Sequence, residues 1–481
     1  MRLPTTAGDS RSLRRAALAV ALAIGAASIS ACSTIRATFG GYERGPDGIS
    51  RAQHRLREAL ARGDFRVALG WHEDDELLRA LTRATSAYYA SQFLRAGTLL
   101  DSAALVADDR ITASVSRDAL ALVTNDNARR YQPRPTERLF IAYYGMLSYV
   151  QLERWEDAAV EARRMVSLLA QRDADRDAEE RPLHAALESL AGAVLERAGR
   201  AGEAQVAYRA AHQMLAVAPE RAGRLAAGDG EVLVVLERGF VAHRVTEQLN
   251  VLLGEDDDDS LSRRGDRRER PSVRLAERLG NVDASRRGPA EPSTEVTYAG
   301  DSARGGRKPK DRDDDPYWLA VSFPVLHRSG RPWGDAVRLS ADVPAGEPTR
   351  LVSVIDDAAI VDERRDRVAM LARAVARASA KYVVTKAVKD KKGETAGKLA
   401  NLGASLLERA DVRSWHLLPQ EVQLLRMALP AGTRSLRLEV ADGAGTRVVE
   451  LGSVTVRVGQ VTIVPHRLWR DPAAVPLIAA R

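Results

Sequence analysis

The 481-residue chain is 45% hydrophobic, 5% aromatic and 28% charged, with a formal net charge of +7 and a single cysteine. Near-average apolar and charged fractions exclude a wholly disordered chain, and the length admits two to four domains at roughly 100–200 residues each. One cysteine excludes an intramolecular disulfide and a thiolate zinc site of the structural kind, which draws four ligands from Cys and His.

At the N-terminus a basic stretch (Arg2, Arg11, Arg14, Arg15) precedes an uncharged Ala/Leu/Ile run from Ala16 to Ala31. The run has signal-peptide length and falls short of the ~20 residues that a spanning helix needs. It ends in Ile29-Ser30-Ala31-Cys32, which resembles the bacterial lipoprotein cleavage box. The resemblance implies that residues 1–31 are removed and that Cys32 is acylated; the bland alternative is an ordinary secreted protein cut after an Ala-x-Ala-like site. Two or three acyl chains make attachment durable where one is marginal. Ser33 rather than Asp after the cysteine favours the outer membrane, by the sorting rule of enterobacterial lipoproteins. Loss of the leader removes four Arg and one Asp and lowers the net charge to +4. With no basic stretch interleaved with aromatics, a nucleic-acid partner is not expected.

Residues 32–50, with Gly40-Gly41 and Gly45-Pro46, read as a flexible tether. From 51 to 227 apolar residues recur at three- and four-residue spacing, predicting helices in pairs. The pairs are Leu77–Tyr89 with Phe93–Val106, Leu139–Tyr149 with Asp157–Leu169, and Leu183–Arg197 with Glu203–Ala211. They resemble tetratricopeptide (TPR) repeats, whose second helix carries an early small residue for close packing; Ala96, Ala158 and Ala204 are the candidates. Their spacings of 62 and 46 residues depart from the 34-residue period, so an irregular TPR-like solenoid is expected, with a plain helical bundle as the alternative.

At Gly228-Asp229-Gly230 the pattern changes. Glu231–Glu237 is a strand-like run, and Phe240–Leu253 is the expected returning partner. Residues 255–315 are rich in Asp, Arg and Gly and too poor in apolar residues to offset ordering entropy, so a disordered insertion is expected. Order resumes at Tyr317–Val325, with strands at Val337–Val343 and Arg350–Ile355 and helices at Glu363–Val388 and Thr395–Glu408. The last part alternates as a half-buried sheet: Leu436, Leu438, Val440, then Val454, Val456, Val458, then Val461–Val464. Leu429-Pro430-Ala431-Gly432-Thr433 resembles the start of transthyretin-like and PEGA-type surface modules. The expected fold is multidomain, α then α+β: a TPR-like helical solenoid (51–227), then a mixed domain (228–254 and 316–481) ending in a small antiparallel β-sandwich.

The lipobox, Val160-Glu161-Ala162-Arg163-Arg164, the strand from Gly230 to Gly239, and Ala410-Asp411-Val412-Arg413-Ser414-Trp415 with Leu418-Pro419 resemble, as a set, an uncharacterised family of bacterial TPR-like lipoproteins. Genes of that family are in some bacteria grouped with lipoproteins that activate peptidoglycan synthases, which implies an envelope role and no particular activity.

Glu161 and Arg164 share a helix face, Arg163 points elsewhere, and the three form a candidate site for a carboxylate or phosphate; the competing reading is ion pairs that lock helices together. In an extended segment Asp411, Arg413 and Trp415 face one side, a set suited to sugar or peptide recognition; the competing reading is a buried Asp411–Arg413 pair with Trp415 as packing. No G-x-S-x-G, H-E-x-x-H, P-loop or G-x-G-x-x-G is present, and the eight histidines are dispersed. No catalytic residue, metal or cofactor is therefore expected. The resulting expectation is a non-enzymatic lipoprotein on the periplasmic face of the outer membrane, anchored by Cys32, whose solenoid offers a concave surface to an envelope protein. A peptidoglycan- or glycan-binding module is the alternative, and a cell-wall hydrolase a further one.

Overall fold

The structure is a computed structural model. It describes residues 49–117, 130–172, 177–219, 225–253, 296–298, 317–329, 337–392, 410–442 and 445–469. The leader, Cys32, most of the tether and of the 255–315 stretch, and the helix expected at Thr395–Glu408 lie outside the described residues.

Contacts divide the chain into Met1–Glu58 and Ala59–Arg481. In the first unit, Ser50 opens helix α1 (Arg51–Ala61): its hydroxyl accepts from Gln53 N–H at 3.1 Å while Gln53 Oε1 accepts from Ser50 N–H at 3.2 Å, a reciprocal cap.

The second unit is mixed α+β. Its helices are α2 (Phe65–Leu69), α3 (Glu76–Tyr89), α4 (Phe93–Arg117), α5 (Pro135–Gln151), α6 (Trp155–Ala170), α7 (Arg181–Arg197) and α8 (Ala201–Met214), and each packs on the next, from α2 on α3 to α7 on α8. Helix starts are chemically specified. Asp75 Oδ1 accepts from the N–H groups of Leu77 and Leu78 at 2.9 and 3.2 Å. Burial raises the Asp75 carboxyl, but Arg110 and the Tyr131 and Leu78 N–H groups outweigh it and hold the group below the usual carboxylate range. Pro135 takes the first position of α5, and Glu137 Oε2 accepts from Arg134 N–H at 2.7 Å.

Two kinds of helix alternate. In α5, 14 of 17 residues are buried and in α7, 13 of 17, so both are enclosed on all sides. In α6 burial falls on Ala158, Ala159, Glu161, Ala162, Met165 and Leu169, a single stripe, and in α8 on Ala204, Ala207, Tyr208 and Ala211. Ala96, Ala158 and Ala204 are all buried. Close approach also needs glycine: a Cβ on Gly192 would lie 2.8 Å from the Tyr208 ring.

The cover over α5 and α7 comes from the second half of the chain. Strands β1 (Asp229–Arg238), β6 (Thr349–Val354), β7 (Glu421–Pro430) and β10 (Val461–Leu468) form a sheet in the order β10-β1-β7-β6, with β1 parallel to β10 and antiparallel to β7. Nine of the ten β1 residues are buried, the mark of a central strand covered on both faces. Val232, Val234 and Leu236 join one apolar cluster with Leu425, Met427 and Leu429 of β7 and with Val337 and Leu339 of β5 (Val337–Ala341), Leu436, Leu438 and Val440 of β8 (Gly432–Asp442) and Val456 of β9 (Gly445–Val456). These last three strands form an antiparallel sheet ordered β5-β8-β9. Glu231 and Glu237, on the alternate positions of β1, reach Arg426 and the tyrosines of the helical layer.

Two expectations need correction. Phe240–Leu253 does not return on β1. Gly239 adopts φ +61 and the chain leaves that sheet; β2 (His243–Leu253) instead pairs antiparallel with β4 (Tyr317–His327) from His243↔His327 to Leu253↔Tyr317. The low-complexity stretch therefore connects the two strands of one hairpin. Within that stretch, Val296–Tyr298, a short β-branched and aromatic run, forms β3 parallel to β2.

The long helix α9 spans Ile355–Lys392 and begins eight residues before the expected Glu363. Polar contacts of its first turns explain the early start. Asp356 accepts from Ala242 N–H at 2.6 Å and from Gln420 Nε2 at 2.9 Å, while Asp362 accepts from Thr136 N–H at 2.8 Å and pairs with Arg172 at 3.0 Å.

Candidate functional site

The first candidate set does not form one site. On α6, Glu161 turns inward: a Cβ on Gly145 of α5 would lie 3.2 Å from its Cγ and Oε2. Burial pushes its carboxyl up to about 7, opposed by Arg164 and reinforced by Asp101. Arg163 turns to α8 and pairs with Glu203 at 2.7 Å. Arg164 turns to α4 and pairs with Asp108 at 2.9 Å, and Arg138 of α5 reaches the other oxygen of the same carboxylate at 3.0 Å. A helix displays three directions within four residues, so one turn of α6 is shared among three neighbours.

Arg164 does line a groove of about 340 Å³, together with Asp108, Ile111, Arg138, Ser167, Leu168 and Gln171. A second groove of about 400 Å³ lies between α2 and the α3–α4 turn, bordered by Phe65, Arg66, Tyr89 and Ser91 among others.

Trp415 is held in the interior of the fold, which corrects its ligand-facing reading, while Asp411 and Arg413 are part-buried. The indole is 1% exposed, its Nε1–H donates to Thr85 Oγ1 at 3.1 Å, and its backbone N–H donates to Glu137 Oε1 at 2.7 Å. Glu137 thus joins the start of α5 to the 410–420 segment through its two oxygens. Arg413 forks onto Asp411 with Nε and Nη2 each at 2.8 Å, leaving the pair part-buried beside Asp75. No room remains for a sugar to stack on Trp415.

The densest polar cluster was missed by sequence reasoning. Where α3 and α5 meet β1 and β10, Arg467 Nη1 donates to Tyr89 Oη at 2.6 Å and to Leu417 O at 2.9 Å, and Nη2 donates to Gly239 O at 2.7 Å. The rings of Trp469, Tyr89 and Phe240 surround the guanidinium with centroids 4.2, 5.1 and 5.1 Å away. Tyr89 donates to Glu237, and the hydroxyls of Tyr89 and Tyr144 lie 2.8 Å apart. Burial raises the Glu237 carboxyl against the pull of Arg467. Further along the same layer boundary, Arg426 pairs with Glu231 at 2.7 Å and donates to Tyr208 Oη at 3.0 Å. The signal for this cluster was a charged residue at each end of an otherwise apolar β1, beside an isolated Arg in the last strand; partner identity needs the fold.

Among the described residues, no group of three or more His, Cys, Asp or Glu is placed to hold a metal ion, and no helix is long and apolar enough to cross a membrane. Comparison with protein-family models, with curated proteins and with solved structures returned no match.

Proposed function

We propose that this chain is a lipid-anchored scaffold of the bacterial envelope that binds a protein partner on its outer helices α4, α6 and α8. The observation carrying this reading is which side of the helical layer is left uncovered. One side is covered by the chain's own sheet and 410–420 segment, through contacts such as Trp415–Thr85, Arg467–Tyr89 and Arg426–Tyr208. The outer helices instead present Leu94, Leu105, Val160 and Val206, each more than half exposed, among exposed ion pairs such as Arg163–Glu203 and Arg200–Glu156. Apolar side chains ringed by charge are the composition of an association surface.

In this reading the helices are a TPR-like array and the two sheets that share the β1–β8 apolar cluster are a β-sandwich. Paired packing of successive helices and the buried small residues Ala96, Ala158 and Ala204 support the first; the shared cluster supports the second. The lipobox at Ile29–Cys32 supports the anchor at Cys32, and Ser33 rather than Asp after it supports the outer membrane over retention in the inner one. A non-catalytic role is favoured because, among the described residues, the raised carboxylates Glu73, Glu161, Glu188, Glu196, Glu237 and Asp356 owe their shifts first to burial, and none lines either groove. The glycan-binding alternative loses its main residue with the burial of Trp415.

A photo-crosslinking residue at Val160 or Val206 in cells should yield one and the same adduct protein, and one at Val448 of β9 should not. Absence of a discrete adduct from both outer positions would sink the docking reading. Metabolic labelling with an alkyne fatty acid should mark the wild-type chain and not Cys32→Ser; equal labelling of both would remove the anchor.

A further inference from the structure

We propose that the groove between α4, α5 and α6 binds the free C-terminal carboxylate of a peptide that ends in a small or medium apolar residue. The inference deepens the docking reading, since the groove lies among the outer helices, and it names the chemistry recognised there.

Two guanidiniums are fixed on either side of one carboxylate. Asp108 offers Oδ1 to Arg138 at 3.0 Å and Oδ2 to Arg164 at 2.9 Å, so Asp108 spaces and orients the two arginines without neutralising both. Each guanidinium donates through Nη2 alone among the described residues, leaving the other N–H groups of both forks to a second acceptor. The side chains are 23% and 28% exposed, enough for a ligand to reach them. Among the described residues, the charged groups lining the groove are these two arginines and Asp108, two cations to one anion, which favours an added carboxylate.

The rest of the lining completes the specification. Ser167 and Gln171 bring polar side chains to the same rim, and Ile111 and Leu168 form an apolar wall. A volume of about 340 Å³ lies at the small end of ligand sites, with room for a terminal residue or two and not for an extended segment. A C-terminal residue carries its carboxylate and its side chain on the same Cα, so it presents anion and apolar group together to a groove lined by both arginines and apolar residues. An internal Asp or Glu carries its carboxylate on the side chain and has no apolar group at that distance.

The test is calorimetric titration of the purified chain with acetyl-alanyl-leucine as the free acid, with the same peptide as its C-terminal amide, and with acetyl-alanyl-glutamyl-leucine amide. The free acid is expected to bind at least about tenfold more tightly than either amide, with the preference weakened at high salt. Arg164→Lys keeps the charge and the reach to Asp108 but lacks the fork, so it should cut free-acid affinity by about tenfold while leaving the melting temperature unchanged. Equal binding of free acid and amide, or no binding of any peptide, overturns the proposal. Binding of the glutamyl amide as tightly as the free acid overturns the commitment to a chain terminus. The crosslinks from Val160 and Val206 are scored independently of this titration, so a failed groove and a failed docking surface give different results.

Discussion

Replacing Glu161 by glutamine separates an inward carboxyl whose ionisation is opposed by burial from an anion that serves a ligand or ties down Arg164. In the folded chain burial pushes this carboxyl from 4.5 up to about 7. A folded-state value above the unfolded one means that the native state keeps a proton which the unfolded chain releases, so stability falls as pH rises. The contribution is fully present below about 4.5, declines between about 4.5 and 7, and is gone above 7. At 1.36 kcal/mol per pH unit the span corresponds to about 3 kcal/mol, an upper value because the side chain retains slight exposure and attraction from Arg164. Glutamine has the same shape and no charge to desolvate. Urea unfolding followed by circular dichroism at pH 5 and pH 8 should show Glu161→Gln within about 0.5 kcal/mol of wild type at pH 5 and about 2 kcal/mol more stable at pH 8. Equal destabilisation at both pH values would refute the reasoning, because that pattern belongs to an ionised Glu161 whose pairing with Arg164 holds the helices.

Arg467→Met should lower stability by about 3–5 kcal/mol, since it leaves Glu237 buried without its cation; a thermal melt close to that of wild type would remove Arg467 from the framework. Trp415→Ala should cost about 3–5 kcal/mol and Trp415→Phe about 1–2 kcal/mol, the smaller loss reflecting the missing donor to Thr85, both read from denaturant midpoints. Arg163→Ala removes an ion pair whose two side chains are 42% and 45% exposed and should shift stability by no more than about 1 kcal/mol. Gly230→Ala would place a Cβ 2.2 Å from the Arg457 carbonyl oxygen and should destabilise by more than about 3 kcal/mol, whereas Gly202→Ala meets nothing within 4 Å and should be neutral or slightly stabilising in melts of the two variants run side by side.

Local pattern reported local structure well. The helix pairs from Leu77 to Ala211, the strand through Glu231–Glu237 and the strand starting at Tyr317 all stand where periodicity and composition placed them. What periodicity did not report is partnership. A run that is apolar on both faces, as in β1, says that both faces are covered without saying by what; its neighbours β10 and β7 lie about 200 residues or more downstream, at registers such as Glu231↔Val461 and Glu231↔Ala428. The same holds for α5: Leu139–Val150 is apolar all round, which already implies a second layer, yet only the folded chain identifies it as β1, β10 and the 410–420 segment. Of the candidate residues, Arg164 pairs with Asp108 and lines a groove, while Glu161 and Trp415 turn inward, because spacing in sequence specifies a shared face and not whether that face meets solvent.

By itself, the sequence determined which segments are helical and which extended, where a segment resembling a lipoprotein cleavage box stands, and that no familiar catalytic motif is present. These follow from neighbours a few residues apart, whose periodicity and chemistry act locally. The tertiary structure alone decided that the chain covers its own inner helical face, that Glu161 and Trp415 are interior, and that Arg138 and Arg164 converge on Asp108. Each of these depends on residues far apart in sequence that hydrophobic burial and ion pairing bring together, with β1 covered on both faces between the helices and the β5-β8-β9 sheet.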